Sequence, residues 1–268
     1  MIFGFGRPKD DLQGHPDSCV FRLENVGYTY EDGGVGLLPT TLTIGPESRR
    51  TAVIGLNGSG KTTLLKLLDG VLAPAKGDGM HLTAGDETLD SSSKRDRKRI
   101  EQLVGRVRRE EIPNAFYQAK DIGEALATPL KQRKVDEGMR NAIVGNLLAH
   151  FQLSDSARRP ASALDAEKRH LLAIAAALTF NPSAIVADEP TKGLDEVGTA
   201  RVAAALFSYN KQVIFATHDT KMIVQPQYAI ERTLVLDEHQ VVFDGAPADA
   251  VAFYEDLINR KAEALRRR

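Results

Sequence analysis

Cysteine is almost missing from this 268-residue sequence, which contains Cys19 and no other. A single cysteine excludes an intrachain disulfide, and this scarcity suits a reducing cytosol. Long hydrophobic runs are missing as well. The longest largely apolar run, residues 171–180, is about half of the ~20 residues that a membrane-spanning helix needs. We therefore expect that another chain makes any membrane crossing that this protein serves.

Charge of one sign is also lacking, because the formal net charge is −1 at pH 7. A sequence this close to neutrality predicts no general attraction to nucleic acid or to membranes. The start of the chain shows neither the basic region nor the long apolar core of a signal peptide. What the sequence does contain is 42 % hydrophobic and 26 % charged residues, which is typical of a globular protein with a sizeable core. Its length fits one large domain, or one domain with a subdomain.

Residues 55–62 read G-L-N-G-S-G-K-T and fit the pattern of a phosphate-binding loop. An apolar, β-prone run precedes them and a strong helix former follows, which is the context that this motif requires. Gly58 and Gly60 allow the backbone to wrap with its N–H groups turned towards phosphate oxygens. The following helix adds the positive end of its dipole. Lys61 supplies a point charge for the outer phosphates and Thr62 a hydroxyl for Mg²⁺. The residues predicted to bind the nucleotide here are Gly55, Leu56, Asn57, Gly58, Ser59, Gly60, Lys61, Thr62 and Thr63. A glycine-rich turn without a ligand is disfavoured, since Lys-Thr at this spacing has no packing purpose.

The chain before this loop predicts an antiparallel β start. Residues 1–19 are mostly polar and indicate a loose tail. Residues 20–30 alternate as in a strand, and residues 38–44 predict a second strand. A tight turn at Gly45 then leads into the strand that feeds the loop.

The middle of the chain predicts a helical subdomain over about residues 108–165, because residues 114–158 are helix-like with one apolar face. Residues 86–99 are polar and then strongly basic, and we interpret them as a solvated surface segment. They lack the interleaved aromatic residues that a nucleic-acid patch requires. Residues 100–107 predict an unusually polar strand.

Two short apolar strands, residues 184–187 and 212–216, follow a largely apolar helix that begins at Asp165. A helix over residues 196–209 lies between them, and such alternation indicates a parallel sheet with helices on both faces. The predicted fold class is therefore α/β. It combines a P-loop nucleotidase core and a mostly parallel sheet with an N-terminal antiparallel β-subdomain and the helical subdomain. A hairpin and a closing amphipathic helix over residues 247–264 complete the prediction.

Two carboxylates, Asp188 and Glu189, end the strand over residues 184–187. A buried strand delivers them to the carboxyl edge of the sheet, beside the phosphate-binding loop. Asp188 can hold Mg²⁺ together with Thr62, and Glu189 can orient and polarise an attacking water. A helix N-terminus that favours acidic residues is the alternative interpretation, and the presence of the loop disfavours it.

His218 follows the second apolar strand in the same way and is also a candidate for the site. It can bond the γ-phosphate or hold the attacking water. A lone histidine more often has a structural role, but its position directly after a core strand favours a functional one.

Taken in order, these motifs resemble the nucleotide-binding subunit of an ATP-binding-cassette (ABC) transporter over about residues 20–250. The runs Asp188-Glu189-Pro190-Thr191 and Thr217-His218-Asp219 are more specific than the loop alone. The resemblance implies ATP and Mg²⁺ as ligands, with Thr62 and Asp188 on the metal. It implies ATP hydrolysis with Lys61, Glu189 and His218 as catalytic residues. The implied organisation is a flexible tail over residues 1–19, the ATPase domain over 20–250 and a C-terminal helix over 251–268.

Finer features are similar to the ATPases of energy-coupling-factor importers, which serve uptake of vitamins such as biotin or of cobalt and nickel. Tyr30 falls where the family places an aromatic residue that stacks on adenine, and Gly193-Leu194-Asp195 resembles the D-loop. The sequence around residues 244–247 also resembles that group.

The chain departs from the family where two motifs are expected. The signature L-S-G-G-Q aligns with residues 164–168, L-D-A-E-K, or after a one-residue slip ends on residues 167–169. Both glycines are absent, and Asp165 would bring a carboxylate towards a polyanion. Arg109 occupies the position of the Q-loop glutamine and cannot accept a hydrogen bond, while Gln118 is only a distant substitute.

The resemblance implies two partners: a membrane-spanning transporter subunit and a second ATP-binding subunit. Because the signature is degenerate, we favour a heterodimer over a homodimer. We expect no nucleic-acid partner, and we expect a cytoplasmic location, peripheral on the inner face of the cell membrane. The alternatives are an ATP-binding regulatory subunit with little hydrolysis, and a soluble ABC ATPase without a transport role.

Overall fold

The structure, a computed structural model, describes residues 16–75, 79–108 and 113–266. The strands of this part of the chain are β1 (Val20–Thr29), β2 (Val35–Ile44), β3 (Arg50–Gly55), β4 (Gly79–Ala84), β5 (Glu87–Asp90), β6 (Val104–Arg108), β7 (Ala184–Asp188), β8 (Gln212–Ala216), β9 (Arg232–Asp237) and β10 (Gln240–Gly245). Its α-helices are α1 (Lys61–Leu68), α2 (Lys94–Leu103), α3 (Asn114–Gln118), α4 (Ile122–Gln132), α5 (Glu137–His150), α6 (Ala166–Leu178), α7 (Glu196–Phe207), α8 (Thr220–Ile223) and α9 (Pro247–Arg266).

A mostly parallel sheet forms the core, in the spatial order β10-β9-β3-β8-β7-β6. Neighbouring strands from β9 to β6 run parallel, and only β10 pairs antiparallel, with β9. Parallel strands covered on both faces are nearly continuous apolar runs, and β8 is buried along its whole length. All parallel strands end at one edge of the sheet, where the phosphate-binding loop lies.

A second, antiparallel sheet has the order β2-β1-β4-β5. In β1 the side chains of Phe21 and Leu23 are fully buried while Arg22 and Glu24 are exposed, as the alternation predicts. Helix α1 is buried between the two sheets, and its Leu64 and neighbouring leucines share a core with both. The mixed α/β fold with a parallel core and an antiparallel N-terminal sheet is therefore confirmed.

A buried carboxylate fixes the end of α1. Asp69 follows the helix and is 1 % exposed, and its Oδ2 lies 2.5 Å from Nε of Arg106 and 3.4 Å from Nη2 of Arg108. Both arginines belong to β6, so the two charges that make this strand unusually polar compensate the carboxylate inside the fold. They tie the phosphate-loop helix to the edge of the parallel sheet.

The prediction of a strand over residues 100–107 is wrong in its first half. Ile100 and Leu103 are buried residues of α2, and the strand begins only at Val104. The side chain of Ser93 caps this helix by accepting a hydrogen bond from the backbone N–H of Asp96 at 3.3 Å. The segment over residues 86–99 lies only partly at the surface: residues 87–90 form β5, in which Leu89 is buried, and the basic residues 94–99 belong to α2.

The helix-like stretch over residues 114–158 is divided into α3, α4 and α5. Asp121 caps α4 through the N–H of Glu124, and Asp136 caps α5 through the N–H of Gly138. Each capping residue marks the end of a loop and the start of the next helix. The boundaries of the helical subdomain and of the ATPase domain stay predictions, and α9 runs across the proposed boundary at residue 250.

Most of the proposed N-terminal tail lies outside the described residues. The part that is described is anchored: Oδ1 of Asp17 lies 2.9 Å from Nζ of Lys211, and the N–H of Cys19 donates to Oε1 of Gln212 at 2.9 Å. Burial raises the pKa of the Cys19 thiol to about 12, so it stays protonated at neutral pH. Among the helices of the described ranges, none has the length and apolar character that a bilayer span requires.

Candidate functional site

The phosphate-binding loop joins β3 to α1 and has the backbone of an anion cradle. Gly60 caps α1 with φ of +101°, a conformation that favours glycine. A Cβ atom at Gly60 would lie 2.7 Å from the carbonyl oxygen of Gly36, so no side chain fits there. The loop is therefore shaped by close backbone approach, which leaves its N–H groups and the helix dipole for a ligand.

Lys61 is held at the mouth of this loop. Its Nζ donates to the carbonyl oxygens of Gly55 at 2.8 Å and Leu56 at 2.9 Å. Burial lowers the pKa of Lys61, and the nearby carboxylates of Glu189 and Asp188 oppose that shift. The side chain is largely removed from water, so an anion in the loop would meet its charge with little screening.

Thr62 and Asp188 meet at the carboxyl edge of the sheet, although 126 positions separate them. The hydroxyl of Thr62 donates to Oδ2 of Asp188 at 2.8 Å. A hydroxyl and a carboxylate are the oxygen ligands that Mg²⁺ prefers. The described residues contain no cluster of three His, Cys, Asp or Glu side chains suited to a metal.

Glu189 has an unusual backbone and a buried carboxylate oxygen. Its φ is +51°, and its N–H donates to the carbonyl oxygen of Ala216 at 3.0 Å. Among the described residues, Oε1 of Glu189 is buried without a hydrogen-bond partner. Burial raises the pKa of this carboxyl, while the charges of Lys192 and Lys61 oppose the shift. Strained backbone and an orphaned polar atom are features that cluster at functional sites.

His218 lies directly opposite this carboxylate, with its Nε2 3.0 Å from Oε1 of Glu189. The contact is close but lacks the alignment of a hydrogen bond. Burial, followed by the charges of Lys61 and Lys192, lowers the pKa of His218 below its ordinary value. The imidazole is therefore predominantly neutral at pH 7, with one ring nitrogen able to donate and the other able to accept.

Tyr30 lies at the other end of the site, directly after β1. Its hydroxyl and the hydroxyl of Thr63 are 2.8 Å apart and share a hydrogen bond. The ring of Tyr28 packs edge-on against the ring of Tyr30, with 5.0 Å between their centroids. Gly36 gives the Tyr30 ring its space, because a Cβ there would lie 2.7 Å from the ring atom Cε2.

One cavity of about 430 Å³, the nucleotide cavity, brings most of the predicted site residues together. Its predicted members are Tyr30, Asn57, Gly58, Ser59, Gly60, Lys61, Thr62, Thr63, Asp188, Glu189 and His218. Gly55 and Leu56 do not line it; their carbonyls face Lys61 instead. The cavity also includes Val35, Gly36, Lys192 and His239, which the sequence reasoning missed. Of these four residues, only Lys192 could have been predicted from the sequence, because it lies four residues after Asp188.

The residues aligned with the family signature lie elsewhere, at the start of α6. Asp165 caps this helix, and its Oδ1 accepts from the N–H of Lys168 at 2.8 Å. Glu167 lies 3.3 Å from Nη1 of Arg201 on α7. These charges line a second surface pocket with Asp195 of the proposed D-loop. Arg109 lies outside the described residues, and Gln118 ends α3 on the surface, away from the nucleotide cavity.

Comparison with known proteins establishes the family. Residues 39–192 match the family model described as ABC transporter. A putative ABC transporter ATP-binding protein of Deinococcus radiodurans is 32 % identical over 238 residues, covering 88 % of this chain and 98 % of that protein. The nickel import ATP-binding protein NikO of Rhodobacter capsulatus is 32 % identical over 244 residues, covering 87 % and 91 %.

The fold agrees with a solved structure. The structure of cbiO1 from Clostridium perfringens, described as part of the ABC transporter complex cbiONQ, superposes with a TM-score of 0.72 at 24 % identity. The superposition covers 91 % of this chain and 94 % of that chain. The chain belongs to the ABC transporter family. It is an ATP-binding ATPase subunit of that family, with ATP and Mg²⁺ as its ligands, as the resemblance implied.

Proposed function

We propose that this chain hydrolyses ATP on the inner face of the cell membrane and drives uptake through a separate membrane-spanning subunit. The direction is supported by the similarity to a nickel import protein. Hydrolysis is supported above all by one observation: Oε1 of Glu189 is buried 3.0 Å from Nε2 of His218 and has no hydrogen-bond partner among the described residues. A buried acceptor of this kind fits a water molecule that is to be deprotonated.

Each site residue has a defined task in this proposal. The loop N–H groups and Lys61 hold the phosphates, and Thr62 and Asp188 hold Mg²⁺, which neutralises phosphate charge when bound. Glu189 polarises the attacking water and takes its proton as the water oxygen bonds to the γ-phosphorus. The bond to the bridging oxygen of ADP breaks in the same step. The neutral imidazole of His218 positions the water or the γ-phosphate, and the Tyr30 ring supports the adenine.

The experiment that tests the transport role uses the tagged full chain in its own cells. We expect it to co-purify from detergent-solubilised membranes with a polytopic protein, and to hydrolyse ATP in that complex. Recovery of the chain only from the aqueous fraction, without a membrane protein, would contradict the role and favour a soluble ABC ATPase. A second ATP-binding subunit in the same complex would support the heterodimer.

The heterodimer proposal is supported by the charges at the start of α6. The resemblance to the family implies that the signature of one subunit contacts the γ-phosphate held by the other. Here Asp165 and Glu167 place two carboxylates where hydroxyl and backbone N–H groups are expected. A homodimer would therefore contain two impaired sites. Pairing with a subunit of regular signature gives one competent site, built on this chain's own phosphate-binding loop.

Restoring the signature should raise the ATPase rate of the purified chain about tenfold or more, equivalent to about 1.4 kcal/mol or more of barrier. The triple variant is Asp165→Ser, Ala166→Gly and Glu167→Gly. Serine caps a helix about as well as aspartate, and loss of the exposed Glu167–Arg201 pair costs only about 0–1 kcal/mol. The measurement is phosphate release by the homodimer, with thermal unfolding as a check on folding.

Asp165→Ser alone is the matched control, because it removes one repulsive charge but adds no glycine. It should raise the rate less than the triple variant. If the folded triple variant turns over no faster than the unaltered chain, the signature does not limit hydrolysis. That result would contradict the proposal of impaired composite sites and favour the regulatory alternative.

A further inference from the structure

His239 lines the nucleotide cavity and belongs to none of the sequence motifs. It lies on the turn between β9 and β10. Gln240 pairs with Asp237, so Glu238 and His239 are the two turn residues. Their φ values are +46° and +68°. Such turns favour Asn-Gly, because L-residues with side chains rarely adopt positive φ. The chain therefore keeps an imidazole at a position where glycine would fit with less strain.

The backbone of His239 is fixed against both the loop and β2. Its carbonyl oxygen accepts from the N–H of Leu38 at 2.7 Å. The two atoms nearest to a Cβ placed on Gly60 would be the carbonyl oxygen of Gly36, at 2.7 Å, and Cα of His239, at 3.4 Å. His239 and Gly36 thus adjoin the same point of the loop. Since Gly36 also lies against the ring of Tyr30, His239 belongs to the Tyr30 end of the cavity.

One ring nitrogen of His239 is left unsatisfied. Nδ1 is buried and has no hydrogen-bond partner among the described residues. A buried polar atom without a partner is rare in folded proteins, and it costs free energy unless a ligand or water completes it.

We infer that the imidazole of His239 contacts the nucleoside half of the bound nucleotide, with Nδ1 as the hydrogen-bonding atom. The inference rests on the proposed function, because it requires Mg-ATP in this cavity. The proposed nucleotide-binding residues are then those of the phosphate-binding loop, Tyr30, and His239 on the turn between β9 and β10. A ligand with ribose and purine gains this contact, and the phosphates alone do not.

The test uses NMR and binding measurements on the full chain. The chain has only six histidines, so ¹³C-labelled imidazole signals are few, and the signal of His239 is the one lost in His239→Gly. On saturation with Mg-ATP, its ring protons should show nuclear Overhauser effects to ribose or adenine protons. Phosphates carry no carbon-bound protons, so this signal reports the nucleoside alone.

His239→Gly should also weaken Mg-ATP binding about 3- to 10-fold, as expected for one lost hydrogen bond. Glycine adopts positive φ without strain, so this variant keeps the turn. Glu238→Gly is the matched control, since it relieves the same strain in the same turn, and Glu238 is not among the residues that line the cavity. It should bind Mg-ATP within twofold of the unaltered chain.

The absence of Overhauser effects in a saturated sample would overturn the inference, and so would equal loss of affinity in both variants. Failure of the proposed function is recognised separately in the same titration. The proposed function fails if the unaltered chain does not bind Mg-ATP, or if Lys61→Ala binds Mg-ATP as tightly as the unaltered chain.

Discussion

Replacing Lys61 by alanine should weaken Mg-ATP binding about 10- to 150-fold, the loss expected for hydrogen bonds from a charged donor worth about 1.5–3 kcal/mol. The ammonium is largely buried and already held at the mouth of the loop by the carbonyls of Gly55 and Leu56. Its charge therefore meets a bound phosphate with little screening by water. Isothermal titration of the purified chain with Mg-ATP measures the effect.

Lys66→Ala is the control for this prediction, because Lys66 lies on the same helix and does not line the nucleotide cavity. It should bind Mg-ATP like the unaltered chain. If Lys61→Ala binds within twofold of the unaltered chain while remaining folded, the loop does not hold the nucleotide and the proposed site is wrong.

Replacing Glu189 by glutamine should reduce ATP turnover about 10²- to 10³-fold, within the range that one general base contributes. Glutamine has nearly the same shape and keeps the contact with His218, but it cannot take a proton from water. We therefore expect the affinity for Mg-ATP to change by no more than about threefold, since a single neutral contact is worth ~1 kcal/mol or less. Single-turnover hydrolysis in the membrane complex separates the chemical step from binding.

The pH dependence gives an independent check on Glu189. The ionised carboxylate is the active base, and burial raises the pKa of Glu189. Turnover should therefore rise with pH through a limb that lies above the range of an ordinary glutamate. This limb should disappear in Glu189→Gln and persist in the control Glu255→Gln on the exposed face of α9. Unchanged turnover in Glu189→Gln would mean that another group deprotonates the water.

The local motifs were predictable because a few neighbouring residues determine them. The spacing of Gly58, Gly60 and Lys61 leaves the backbone little choice but a tight turn into a helix, and α1 begins at Lys61. The apolar strands before Asp188 and His218 were predictable for a similar reason. Strands buried on both faces need continuous apolar sequence, and polar residues follow directly where such strands end. The roles assigned to these residues stay proposals.

Less predictable were contacts between segments that are distant in sequence. The phosphate-binding loop follows β3, Asp188 ends β7, and β8 lies between these two strands. Thr62 reaches Asp188 because α1, which begins at the end of the loop, packs across β8 and β7. Strand β6 can contain Arg106 and Arg108 because both guanidinium groups pair with the buried carboxylate of Asp69. The strand predicted over residues 100–107 was half wrong because the cap at Ser93 and the burial of Ile100 favour a helix there.

The sequence by itself determined the phosphate-binding loop, the acidic strand and the α/β order, because each depends on the spacing of adjacent residues. Only the tertiary structure decided which other side chains face the nucleotide cavity. Two features result from this packing: the hydrogen bond between Tyr30 and Thr63, and the buried Nδ1 of His239, which has no hydrogen-bond partner among the described residues. The physical reason is that burial and hydrogen-bond satisfaction are set by neighbours in space, which one-dimensional patterns do not specify.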